Sequence, residues 1–245
     1  MMSNILLFIL AAGIPYYILL EKIKALKSKH IFLLSATSLL GAVIFSSYIP
    51  NEHKTPLVVI SLISALFSIY KATKTTNFYK LGYYLIFVNA PFFVLFEGQG
   101  SGAMFSLSLL VSLAGLFLIA RFYEKNYGSA NYRYITGITL VRPYIGTYLT
   151  FYLIAIALYP PFPHSLFILS YILKSEPNLL WLMVVGTLFF GNFILAMGVM
   201  KRTLFGRPNP NIHYVHMTTA EKIPHILIII LLLVLSGFGL KEILS

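Results

Sequence analysis

Eight stretches of this chain contain no Asp, Glu, Lys or Arg: 3–20, 31–49, 56–70, 81–96, 102–120, 144–173, 178–200 and 223–240. A helix needs about 20 largely apolar residues to cross the hydrocarbon core of a bilayer. In lipid every backbone N–H and C=O must find its partner inside the protein, and for uninterrupted apolar runs the helix is the structure that provides it. The expectation is an all-α, polytopic transmembrane helix bundle of about eight spans, forming a single transmembrane domain over residues 1–245. Composition agrees: 58% of residues are apolar and 10% charged, against about 25% charged in soluble domains, so polar groups cannot cover the apolar surface. The absence of cysteine excludes disulfides and thiolate metal sites. Met1-Met2-Ser3-Asn4 offers neither a cationic n-region nor a small-residue cleavage site, so the first stretch is expected to be a retained span.

The charges carry the topology. Lys22, Lys24, Lys27 and Lys29 follow the first stretch; Lys71, Lys74 and Lys80 follow the third; Arg121, Lys125, Arg133 and Arg142 follow the fifth; Lys201, Arg202, Arg207 and Lys222 follow the seventh. With eight spans all fifteen fall on one side, leaving only Lys54, Lys174 and Lys241 on the other. The positive-inside bias then puts the basic loops in the cytoplasm and both termini outward. The expected location is an energy-coupling membrane, the prokaryotic cytoplasmic membrane. The net charge of +11 is spread over short loops flanking apolar runs, which suits an anionic lipid surface and argues against a nucleic-acid partner.

The acids and histidines avoid the spans. Asp is absent, and Glu21, Glu52, Glu97, Glu124, Glu176, Glu221 and Glu242 lie at segment ends or in connectors. His30, His53, His213, His216 and His225 read the same way, and only His164 falls within a span. Intramembrane ionisable groups are the usual carriers of protons and ions, so their scarcity constrains function strongly. The twenty Phe and seventeen Tyr read mostly as lipid-facing or interfacial.

The segment 144–173 holds Pro160, Pro161 and Pro163 in its middle. Each proline lacks an N–H and crowds the carbonyl four residues back, so the carbonyls of Ile156–Tyr159 lose their helical donors. At bilayer depth that is tolerated only against protein or water, and interrupted helices are a frequent device at ion sites. The alternative, a surface hairpin, would scatter the basic loops over both sides, so one interrupted span is expected.

An apolar helix running into Pro160-Pro161-Phe162 and then a second apolar half resembles the broken helix of the antiporter-like subunits of respiratory complex I, membrane-bound hydrogenases and multisubunit cation/proton antiporters. Leu113-Ala114-Gly115, the run Tyr132-Arg133 to Gly137 to Arg142-Pro143, and Leu204-Phe205-Gly206-Arg207-Pro208 resemble that family's flanking motifs in the same order. The likeness covers residues 101–245; residues 1–100 are recognisable only as helical spans. It implies the C-terminal half of such a subunit, without its charges. Counting back from Gly115, the family's buried Lys falls at Leu107, and the charge after its Pro-Pro-Phe falls between Ile168 and Ser170.

Two residues are candidates for an ion path. His164 either carries protons or donates to a carbonyl freed by Pro160 or Pro161, and the second reading is favoured. Glu97 is either an interfacial anion or lines a vestibule beside Gly98 and Gly100. Lys201–Pro208 with His213 and His216 lacks the Ser-Gly-His of a phosphatidic-acid phosphatase, and no carboxylate or Cys joins the two histidines in a metal site. No catalytic residues, metal or cofactor are expected. The reading is an accessory or degenerate membrane subunit of a multisubunit ion-translocating complex, a non-catalytic subunit of an oxidoreductase or ion-transport complex. Its expected partners are other membrane subunits, including a full-length antiporter-like paralogue, and the lipid bilayer. The alternatives are a stand-alone secondary transporter using the broken helix and His164, and a membrane-embedded enzyme.

Overall fold

A computed structural model describes residues 2–46, 54–96, 101–174, 176 and 178–244. These residues form eleven helices and, among them, no strand. Six helices are long and apolar enough to cross a membrane: α3 (Ser28–Ser46), α4 (Lys54–Lys74), α5 (Phe78–Phe96), α6 (Ser101–Tyr127), α10 (Leu179–Thr203) and α11 (Thr219–Leu244). The others are α1 (Met2–Leu10), α2 (Tyr17–Leu20), α7 (Ile138–Val141), α8 (Pro143–Ile156) and α9 (Pro163–Lys174).

The outward faces are apolar. Ile63 on α4, Phe190 on α10 and Leu227 on α11 are each at least 60% exposed, amid exposed Leu, Ile and Phe neighbours on the same helices. Soluble proteins do not present apolar faces of this extent to water; in a bilayer those faces are the solvated ones. The chain is an integral membrane protein. Helix α5 is the exception, buried almost throughout by α3, α4, α6 and α10. This corrects the expectation for the aromatics, because Phe78, Tyr83, Phe87, Phe92 and Phe93 on α5, with Tyr17, Phe105, Tyr123, Tyr152 and Phe167, are fully buried.

The segment 144–173 is an interrupted span. On α11, His225 meets Tyr148 and Tyr152 of α8, Gly239 faces Leu166 of α9, and the Glu242 carbonyl accepts from Lys174. The segments 144–173 and 223–242 run in the same direction, so α8 and α9 follow one another through the bundle and do not form a hairpin. The first segment, expected to be one continuous span, is also broken. Leu7 lies in a buried cluster with Ala42, Val58 and Phe92, whereas Tyr17 bonds Ser68 at 3.0 Å and packs on Tyr84 and Phe87 toward the other end. Among the described residues, six continuous helices and two interrupted segments run through the bundle, in keeping with about eight spans.

All four basic connectors gather at one end. Glu21 accepts hydroxyls from Tyr83 (2.5 Å) and Tyr84 (2.7 Å) near the start of α5. The Phe78 amide donates to Ala130 and the Tyr132 amide to Thr76. The Thr136 hydroxyl donates to the Arg207 carbonyl (2.8 Å) and Thr139 to Leu204 (2.7 Å). Helix α11 starts from a reciprocal capping box, Thr218 N–H to Glu221 and Glu221 N–H to the Thr218 hydroxyl.

Candidate functional site

The core divides into two apolar clusters stacked along the spans, and both breaks fall where one gives way to the other. Ala12 belongs to the cluster nearer the basic end and Ala11 to the other; Ala157 and Leu158 divide in the same way. Asn89 sits at that boundary on α5, between Val88 and Phe92, and Asn192 sits there on α10, between Leu188 and Leu195. The two amides bond reciprocally, at 3.0 and 2.7 Å, and both are buried. A buried amide pair therefore lies between the two apolar clusters, at the level of the two breaks.

Each break turns on a left-handed residue other than glycine, Ala12 at φ +62° and Leu158 at φ +60°. That region crowds Cβ against the following carbonyl, so the surrounding packing holds both residues there. After Ile156 the chain closes with Leu158 N–H to Ala155 and Tyr159 N–H to Ile154, and the Pro160–Pro161 peptide is cis. The Tyr159 carbonyl regains a donor, the Phe162 amide at 3.1 Å, but no backbone amide reaches those of Ile156, Ala157 and Leu158. Helix α9 then restarts with proline first, where a missing N–H costs nothing. Pro163 is buried, whereas Tyr159, Pro160 and Pro161 face outward from the bundle.

His164 is fully buried, with its ring edge-on to Phe105 of α6 at 5.6 Å. Neither ring nitrogen meets a hydrogen-bond partner, which corrects the expectation that it donates to a carbonyl freed by Pro160 or Pro161. The hydroxyls of Ser112 on α6 and Ser170 on α9 are likewise buried and unpaired. Leu107 does not face this region. It lines an apolar groove of about 320 Å³ between α3 and α6 with Phe32, Leu110 and Phe117, more than half a turn of helix away from the Phe105 face. Ile168 is buried on α9. Glu97 lies outside the described residues.

Sequence reasoning missed three groups. His225, read as a terminal residue, is buried on α11, stacked on Tyr148 at 4.8 Å and bonded to the Tyr152 hydroxyl at 2.8 Å. Glu21 and Glu124 each bind tyrosines of α5, the latter Tyr79 at 2.8 Å. The break in the first span was announced by Gly13 and Pro15 two residues apart, a turn signal inside an apolar run. Gly115 of α6 permits a close approach to α8: a Cβ there would stand 2.4 Å from the Tyr152 ring. Among the described residues no three histidine or carboxylate side chains converge. Compared with models of known protein families and with curated proteins, the chain matches none.

Proposed function

We propose that this chain is an accessory membrane subunit of a multisubunit ion-translocating assembly, resembling a degenerate C-terminal half of an antiporter-like subunit. The carrying observation is that two spans break at one level, yet the polar side chains found there are the uncharged Asn89–Asn192 amides, with the His164 imidazole a few residues beyond the second break. Proton and ion paths through membranes are built on ionisable groups. His164 has no carboxylate within ion-pair distance among the described residues. The exposed Tyr159, Pro160 and Pro161 at the second break are the surface on which a neighbouring subunit of such an assembly would sit, whereas the residues whose carbonyls lack a backbone donor, Ile156, Ala157 and Leu158, are buried within the chain itself. A fully charged paralogue is the neighbour that would supply the ion path.

The test is purification of the tagged chain from its own membrane in mild detergent, with identification of what accompanies it. Membrane subunits carrying Lys and Glu within their spans are the expected companions. In that assembly, His164→Asn is expected to preserve composition and leave coupled ion movement close to wild type. A chain that purifies alone and moves solute in liposomes would overturn the reading in favour of a stand-alone transporter. An assembled His164→Asn complex without ion movement would make His164 a proton carrier and the chain no longer degenerate.

A further inference from the structure

Three connectors enclose a concavity of about 730 Å³ at the basic end of the bundle, with Lys74, Arg133, Lys201, Arg202 and Arg207 among its lining and no carboxylate. The only ion pair among the described residues, Lys125–Glu221, lies elsewhere. Five like charges around one cavity repel one another, and an anion seated among them relieves that repulsion. Tyr132 does not supply the negative charge: burial pushes its hydroxyl up to about 12 despite the neighbouring Arg202, so it stays neutral and donates to the Thr75 carbonyl.

The walls are held in place. Gly137, in the left-handed region at φ +61°, lies so close to the facing loop that a Cβ there would stand 2.7 Å from the Gly206 carbonyl oxygen and 2.8 Å from the Pro208 nitrogen. The hydrogen bonds from Thr136 to Arg207 and from Asn209 to Tyr134 (3.1 Å) tie the same two connectors. Lys22, Lys24 and Lys27, by contrast, lie at the same end outside this cavity. The depth also matters. Lys74 ends α4 and Lys201 lies in the last turn of α10, so the cavity opens at the headgroup level. Phe205, 64% exposed, forms part of its lining as an apolar surface for a chain descending into lipid.

We propose that this cavity binds a phosphate-bearing anion, its arginine guanidinium groups pairing with the phosphoryl oxygens through charge-assisted forks. Two sources share that chemistry, the headgroup of an anionic phospholipid and a soluble phosphate compound, and the exposed Phe205 favours the lipid.

The full chain, purified in mild detergent, is mixed with micelles of phosphatidylglycerol or phosphatidylcholine, and lipid retained per chain is read by native mass spectrometry. Preferential retention of phosphatidylglycerol is expected, falling about tenfold or more in Lys201→Gln/Arg207→Gln through loss of charge-assisted bonds. It is expected to persist in Lys22→Gln/Lys24→Gln, which removes equal charge outside the cavity. Lys74→Gln/Arg133→Gln repeats the test from the opposite wall should the first pair fail to fold. Inorganic pyrophosphate separates the sources: if it binds and displaces the lipid the occupant is a soluble phosphate, and if lipid stays bound the occupant is the headgroup. Equal losses in cavity and control variants overturn the site, as does a wild-type chain with neither headgroup preference nor pyrophosphate binding.

Discussion

Gly137 shows how one residue ties two connectors together. Its left-handed backbone and its approach to Gly206 and Pro208 leave no space for a side chain. Gly137→Ala is expected to destabilise the protein by about 1–3 kcal/mol, the cost of a non-glycine residue in that region together with displaced backbone, read as a lowered thermal midpoint in detergent. Gly186 on α10 meets nothing within 4 Å of an added Cβ, so Gly186→Ala serves as the control and is expected to be neutral or stabilising by up to about 1 kcal/mol. An equal fall in both variants would mean the connector contact is not what Gly137 secures. In the sequence Gly137 was one glycine of sixteen. Only the loop opposite, some seventy residues on, reveals why it must be glycine.

At the scale of the helices, α5 is held to α10 across apolar surroundings by the Asn89–Asn192 pair. Interhelical hydrogen bonds in membranes contribute about 0.6 kcal/mol on average and up to about 1.7. Asn192→Leu leaves the Asn89 amide only its bond to the Leu85 carbonyl (2.7 Å) and its oxygen without the Asn192 donor, and is expected to destabilise more than the double variant Asn89→Leu/Asn192→Leu, which removes both partners. Unfolding midpoints of the two single variants and the double would give the coupling, and strictly additive losses would show that the pair does not interact. The interruption of 144–173 was legible because three prolines in four residues cannot continue a helix. The break in the first span rests on one glycine and one proline, a weaker signal that tertiary packing of Leu7 and Tyr17 at opposite ends makes definite.

For the whole molecule, the gathering of the basic connectors at one end is geometric, and its orientation is testable without a cysteine background. Ser129→Cys at the basic end and Glu176→Cys at the opposite end, both exposed, are treated with an impermeant maleimide on intact cells. Labelling at position 176 alone is expected from the positive-inside bias. Labelling at 129 alone would invert the orientation, and labelling at both would refute eight crossings.

Apolar runs long enough to span lipid and a segregated set of lysines and arginines determined, by themselves, the membrane environment, the helical class and the connectors that share an end. Both are local or additive properties that no distant contact can reverse. Which aromatic residues are buried was decided by tertiary structure, because lipid and protein interior are equally apolar and hydrophobicity cannot tell α5 from an outward-facing helix. The same holds for His164 and His225: a histidine in an apolar run looks alike whether its ring stands unpaired beside Phe105 or bonds to Tyr152. The Asn89–Asn192 pair stands level with the two breaks only once residues 12, 89, 158 and 192 are brought together, and sequence spacing does not encode that alignment.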